Sequence, residues 1–451
     1  MAFATVSCIT EEYVPNSERE RISLEAWIKL NKPALLENYQ ENGGYYVELL
    51  DGDTNLGEPA NGNDFGSEPL MEQDTCWVYY NYTGYDLDGN LCSTRNEALA
   101  RMQATYADRT YYAPYGNYCG KEEYYAVVEG SYLASRNKIT LSQEYVDAHS
   151  DICKGTELQL RKGTKVRLYL ASTIGYSSSG SSAEGGYEGQ YSLDPNVPMI
   201  LDLEVVRVIK SPSDNELNMV ESVVNQSNAD NDTIWMQIEN TEESDTDEEG
   251  GDTAEDSSDT EDTEGSEEKK YYEGIYYTNT FKPMDEEFYH LQYARTDVAG
   301  VGNPYKDSGR FANMEEFDAK LWKILNEKFK DQIKKVNEED AEEIGEENAG
   351  MIWYVGRFLD GFIFDTNIDE VKELAFNETD GGGEAISYSI SSNKDEYINA
   401  WALGIPKMRY GRWGAIITTS GYAYGSSGVI FTKYLEHTTE EFSAAYRFSK
   451  K

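Results

Sequence analysis

WYVGRFLDGFIFDTN, Trp353 to Asn367, is two apolar runs divided by Leu359-Asp360-Gly361. Asp-Gly between apolar runs is a turn signal, so the stretch predicts a strand, a tight reversal and a second strand. Its difficulty is Asp365. A strand that buries Phe364 carries a carboxylate as its next residue, and an unpaired buried carboxylate is costly. Asp365 is tolerated where a hydroxyl or a backbone N–H holds it at the wall of a pocket. A second stretch, VYYNYTGYDLDGNLCSTR from Val78 to Arg95, follows a similar plan, with leucine and cysteine in place of phenylalanine and aspartate.

Working outward, the two stretches sit in two halves that resemble each other. Each half opens with glycine and two tyrosines, Gly44-Tyr45-Tyr46 in one and Gly274 with Tyr276-Tyr277 in the other. Each later reads as a glycine, an apolar strand and Gly-Tyr among serines: RKGTKVRLYLASTIGYSSSG from Arg161 and RYGRWGAIITTSGYAYGSSG from Arg409. Two copies are too few for a solenoid and describe one α+β unit used twice. Residues 1–37 read as a tether and a short helix, capped by Ser23, carrying Leu24, Trp27, Ile28 and Leu30, and stopped by Pro33. Residues 38–212 form the first unit. Residues 213–270 turn to Asn, Ser, Asp, Glu, Thr and Gly, which predicts a flexible acidic linker with TIWMQIEN as a short ordered exception. Residues 271–451 form the second unit. Within it, 314–335 has helical periodicity, with Phe317, Leu321, Ile324, Leu325, Phe329 and Ile333 on one stripe.

At 451 residues the chain exceeds one ordinary core. Its formal net charge of −44 is only partly due to Glu239–Glu268, where 16 carboxylates stand without a Lys or Arg. A surface this negative repels phosphate backbones, which excludes nucleic acid as a partner. No apolar run of membrane-spanning length occurs. MAFATVSC at the start resembles the end of a bacterial lipoprotein signal. That implies lipidation at Cys8, export, and a membrane association through the lipid alone; its basic region would lie upstream of Met1. The other cysteines, Cys76, Cys92, Cys119 and Cys153, permit two disulfides or four buried thiols. The three histidines, His149, His290 and His437, have no paired spacing for zinc or a triad. DGGGE at Asp380 reads as a turn rather than a phosphate loop.

The ordered set Tyr354, Gly356, Asp360-Gly361, Phe364-Asp365, Ile398, Trp401, Met408, Gly411 and Tyr422-Ala423-Tyr424-Gly425 resembles the FKBP-type peptidyl-prolyl isomerases over roughly residues 350–430. The resemblance implies an α+β fold: two domains, each a twisted antiparallel sheet wrapped on a short helix. It implies an aromatic pocket with Trp401 as floor, Phe364, Tyr388 and Ile398 as walls, and Tyr397 against the substrate. Tyr424 would donate to a substrate carbonyl, and Tyr354 and Asp365 would orient the site. On the final strand either Phe442 or Ala444 takes the pocket position. In the first half Gly163, Tyr176, Leu193, Leu201, Asp202 and Glu204 stand in family positions. Its pocket is degenerate: Tyr82 is retained, Leu91-Cys92 replaces Phe-Asp, and Cys153, ten residues before Gly163, replaces the tryptophan. An insertion covers about 96–150. The implied activity is rotation of X–Pro bonds in exported polypeptides by a monomer that needs no cofactor and no metal. The alternative is two non-catalytic modules binding polypeptide or ligand at the cell surface in the manner of a chaperone.

Overall fold

The computed structural model describes residues 15–51, 59–121, 126–176, 193–230, 234–240, 270–279, 282–283, 289–290, 311, 314–330, 342–346, 348–379, 381–393, 396–424 and 442–450. Cys8, Ile333, His437 and the acidic residues 241–269 lie outside them. Among the described residues, no helix is long and apolar enough to cross a membrane.

The first half runs α1 (Asn16–Asn31), β1 (Tyr39–Gln40), β2 (Tyr45–Asp51), β3 (Thr75–Asp86), β4 (Leu91–Thr94), α2 (Glu97–Met102), β5 (Tyr115–Gly120), α3 (Glu129–Arg136), β6 (Ile139–Thr140), α4 (Gln143–Ala148), β7 (Glu157–Leu158), β8 (Lys165–Leu170) and β9 (Met199–Ile209). The second runs α5 (Pro212–Asp230), β10 (Met236–Glu239), β11 (Tyr271–Thr278), β12 (Lys282–Pro283), β13 (Tyr289–His290), α6 (Met314–Phe329), β14 (Ala349–Arg357), β15 (Ile363–Thr366), α7 (Asp369–Phe376), β16 (Ile386–Ser389), α8 (Ile390–Asn393), α9 (Asn399–Gly404), β17 (Trp413–Thr418) and β18 (Phe442–Lys450).

The two large sheets have one topology. Strand order is β1-β2-β8-β9-β3-β4 in the first and β10-β11-β17-β18-β14-β15 in the second, all antiparallel. The long strands β3 and β14 each carry two partners along one edge: β4 and β5 on β3, β15 and β16 on β14. The fold is therefore α+β and used twice, as the internal resemblance of the sequence requires. Helices α1 and α3 pack into the first core and α5, α6, α7 and α9 into the second. Leu24, Ile28, Val47, Leu168 and Leu203 anchor the first core, and Val220, Phe317, Leu325, Val355 and Ile416 the second.

Three expectations change. Helix α1 begins at Asn16, so Ser23 is inside it and its hydroxyl donates to the Arg19 carbonyl (2.8 Å) instead of capping. Leu24 and Ile28 are buried while Leu30 is exposed. Part of the expected linker is ordered: α5 buries Val220, Val223 and Val224 in the second core, and TIWMQIEN supplies Trp235, Ile238 and strand β10. Four apolar side chains per two turns outweighed the polar composition that suggested disorder. The acidic tract does not join the halves. It leaves β10 and returns at β11, where Glu239 pairs with Tyr271 and the Lys270 carbonyl accepts from Asn240 N–H. The four described cysteines are free thiols; Cys76 and Cys119 face each other across β3 and β5.

Candidate active site

The opening stretch forms the hairpin β14–β15. Gly361 makes the reversal possible, with φ of 94° and its N–H bonded to the Phe358 carbonyl. Asp360 closes the turn by accepting from Phe362 N–H (2.9 Å). Gly356 is required by packing: a Cβ there would lie 2.8 Å from the Phe364 ring. This contact explains why Tyr-x-Gly on one strand accompanies Phe-Asp on the next. Behind the turn, the buried Arg357 guanidinium is paired with Asp318 of α6 (2.8 Å) and donates to the Gly361 carbonyl (3.1 Å). Helix α6 thus holds the hairpin from its inner side.

Asp365 is satisfied as its neighbours demanded. Its Oδ2 accepts from the Tyr354 hydroxyl at 2.5 Å and its Oδ1 from Thr366 N–H at 2.9 Å. A hydrogen bond to a carboxylate contributes about 1.5–3 kcal/mol, enough to offset much of the desolvation. Burial, reinforced by the Asp365 charge, pushes the Tyr354 hydroxyl well above the ordinary tyrosine range, so it stays a donor.

The remaining rings gather around Trp401 on α9. Tyr354 meets the indole edge-on at 5.7 Å and 73°, and Tyr388 at 5.5 Å and 84°. Tyr397 lies flat on it, at 4.8 Å and 11°. Phe364 packs against Tyr424 at 5.9 Å. Ile398 is half-buried beside this group, and its carbonyl accepts from Trp401 N–H (2.9 Å) to start the helix. The sequence-selected residues of the second half therefore converge. Burial pushes the Tyr424 hydroxyl up to about 12, with Asp365 adding to the shift. It also pushes Tyr388 up to about 12, and that buried hydroxyl has no hydrogen-bond partner among the described residues. With Tyr397 in place, Trp401 is 5 % exposed, so the flat face of the indole is covered by the chain's own tyrosine. On β18 Gly356 pairs with Ala444 as Gly84 pairs with Leu201 on β9.

The first half corrects two assignments. Gly84 pairs with Ser93, as Gly356 pairs with Asp365, so Cys92-Ser93 corresponds to Phe364-Asp365, one residue on from Leu91-Cys92. A bulge after the glycine sets that register. Nor does Cys153 hold the tryptophan's place. It follows α4 just past the insertion, buried in the first core, with its N–H bonded to the His149 carbonyl. The counterpart of α9 is α3: Ser131 N–H bonds to the Val128 carbonyl as Trp401 N–H does to Ile398. Ser131, a small buried hydroxyl, stands where the other half has the Trp401 indole. Tyr176 stands in Tyr424's place, 3.3 Å from the Ser93 hydroxyl. Leu193 and Leu201 are buried. The buried Arg95 guanidinium lies over the rings of Tyr82 (5.9 Å) and Tyr115 (5.1 Å).

Sequence reading missed a contact between the halves. Tyr111, in the first half's insertion, packs between Phe358 (4.9 Å) and Phe362 (5.0 Å) and donates to Asp360 (2.7 Å). Phe358 in turn touches Phe364 at 5.0 Å. Arg109 pairs with Glu378 and lies over Phe376 (4.2 Å). Phe364 is therefore backed, through Phe358, by a tyrosine of the first half. Only the density of tyrosines in DRTYYAPYGNY signalled it.

No family model matches the chain, and neither does any curated protein. Among solved structures it is similar to the three FKBP domains of wheat FKBP73, with 13% identity over 91% of this chain and 95% of that one and a TM-score of 0.21. A peptidyl-prolyl cis-trans isomerase from Pseudomonas syringae is 16% identical over 44% of this chain and 99% of its own, with a TM-score of 0.23. FkpA from Escherichia coli is 15% identical over 43% and 62%, with a TM-score of 0.22. These are of the FKBP type, the family that the sequence resembles. At such scores they assign no residue here a role.

Proposed function

We propose that the second half is a peptidyl-prolyl cis-trans isomerase acting on X–Pro bonds of exported or surface polypeptides, and that the first half is a non-catalytic support. The observation that carries this is Asp365 held 2.5 Å from the Tyr354 hydroxyl, with that same tyrosine against the Trp401 indole. It is a carboxylate fixed at the rim of an aromatic cluster, where packing alone would place an apolar residue.

Rotation about an X–Pro bond crosses a barrier of about 18–20 kcal/mol and needs neither nucleophile nor metal. The planar amide is polar through resonance, and the twisted amide has lost it. A site that replaces water by aromatic surface around the prolyl ring therefore binds the twisted form better than the planar one, which is the differential binding that accelerates a reaction. In this reading Trp401 takes the prolyl ring when Tyr397 swings off the indole. Phe364 and Tyr388 wall it, and Tyr424, a neutral donor at physiological pH, bonds the substrate carbonyl. Ser131 and Arg95 deny the first half the same chemistry. Attachment through Cys8 completes the reading, and palmitate labelling of the full-length gene product tests it: a Cys8→Ser chain takes up no label, and an unlabelled wild type removes the anchor.

The covered indole favours a second reading, in which the site binds polypeptide without turnover. Cis-to-trans rates on a Phe-Pro tetrapeptide, measured with the full chain against Trp401→Ala and Asp365→Val, separate the two. Acceleration lost in both variants supports catalysis; binding of the peptide with no acceleration by the wild type supports the module.

A further inference from the structure

Each half begins with a helix that sends a glutamate into its own core. Glu216, in the first turns of α5, is 2 % exposed. Its carboxylate accepts from Ser420 N–H (2.8 Å) and from the Ser420 hydroxyl (2.8 and 3.0 Å). Glu20 of α1 is 7 % exposed and accepts in the same way from Ser172 N–H and the Ser172 hydroxyl. Ser172 and Ser420 occupy one topological position, the start of the helical turn that follows β8 or β17. Each turn runs four residues on to the pocket tyrosine, Tyr176 or Tyr424. The spacing along the helices repeats as well: Glu20, Leu24 and Ile28 in one, Glu216, Val220 and Val224 in the other, with the apolar pair buried each time. A buried carboxylate is expensive unless fully bonded, so its presence at the same place in both units marks a built connection between helix and loop.

We propose that Glu216 is a positioning residue for Tyr424. It ties α5 to the turn at Ser420, whose own hydrogen bonds (Ala423 N–H to the Ser420 carbonyl, 2.9 Å, and Thr419 N–H to the Gly274 carbonyl, 3.0 Å) leave the chain one course into Tyr424. The hydroxyl that meets the substrate carbonyl is thus set by a helix some two hundred residues earlier in the chain, and the functional unit begins at Pro212. This rests on the isomerase reading for its kinetic consequence, while the tie itself is independent of it.

The test uses the full chain carrying 3-fluorotyrosine, with Glu216→Ala, Glu216→Gln, Ser420→Ala and, as a matched control, Glu20→Ala. Expected are a tenfold or greater loss of kcat/KM in Glu216→Ala, partial recovery in Glu216→Gln, and less than twofold loss in Glu20→Ala, which breaks the same lock in the other half. In a Tyr424→Phe background, Glu216→Ala should cost less than twofold more, because the group it positions is gone. The fluorine resonance assigned to Tyr424 should shift or broaden in Glu216→Ala and Ser420→Ala and stay fixed in Glu20→Ala. Equal kinetic losses for the two glutamates, or losses that add fully to Tyr424→Phe, would overturn the proposal. If the wild type accelerates nothing, the isomerase reading has failed and the fluorine signal decides alone: an unmoved Tyr424 resonance in Glu216→Ala refutes the positioning role.

Discussion

Replacing Tyr397 by alanine should make the protein a better catalyst. Its ring stacks on Trp401 at 4.8 Å and meets Tyr388 edge-on at 5.4 Å. A prolyl ring that uses the indole face must break both contacts first. An aromatic pair contributes about 0.5–1.5 kcal/mol beyond the area it buries. Tyr397 is half-buried, so the lower part of that range applies, and opening costs about 1–1.5 kcal/mol for the two pairs together. At 1.36 kcal/mol per factor of ten, Tyr397→Ala should raise kcat/KM about five- to twelvefold on a Phe-Pro tetrapeptide. Tyr397→Phe keeps both ring contacts and should leave the rate within about twofold, by the same conversion. Indole fluorescence gives a check without turnover: proline-containing peptide should perturb it at lower concentration in the alanine variant. A rate for Tyr397→Ala below that of the wild type would show the ring to be a wall the substrate needs. An unchanged rate would show that proline and Tyr397 never compete for the indole.

Other consequences concern the frame of the site. Tyr388→Phe removes a buried hydroxyl with no hydrogen-bond partner among the described residues, so it should raise stability by about 1 kcal/mol, read as a higher urea midpoint; a loss of stability would mean that the hydroxyl is bonded. Arg357→Met leaves Asp318 without its 2.8 Å partner and should cost about 3–5 kcal/mol, most of it recovered in Arg357→Met/Asp318→Leu, as a buried pair broken on one side demands. The Tyr424 and Tyr388 hydroxyls hold their protons to about 12, whereas an unfolded tyrosine loses its proton near about 10. Between those values the unfolded chain binds fewer protons, so stability should fall as pH rises from about 10 through 12 and fall less steeply in Tyr388→Phe/Tyr424→Phe; identical slopes in urea melts at pH 9, 10 and 11 would refute the assignment.

The residues around the second pocket were legible because they lie on one continuous piece of chain with fixed gaps. Turn, bulge and helix start are local, so Tyr354, Asp365 and Trp401 kept their spacing. Counting failed where an insertion intervened: ten residues back from Gly163 reached Cys153, because β6, α4 and β7 lie between α3 and β8, where a short connection joins α9 to β17 in the other half. The assignment of Leu91-Cys92 was one residue short on spacing alone: Ser93 follows Gly84 by nine residues as Asp365 follows Gly356, and both hairpins carry the same bulge after the glycine. Composition misled at α5, whose few apolar residues fall on one stripe among many polar ones. Glu216 and Tyr111 were invisible for a different reason. Their partners, Ser420 and Asp360, are more than two hundred residues away, and in so acidic a chain one more glutamate carries no signal until folding buries it.

The most direct test is a nuclear Overhauser measurement between a Phe-Pro peptide and the full chain with its tryptophan rings selectively labelled. The account predicts contacts from the prolyl ring protons to the Trp401 indole and to Tyr424, absent in Trp401→Ala. Prolyl contacts to another tryptophan, or a wild-type chain that leaves the peptide's spectrum and relaxation unchanged, would contradict it.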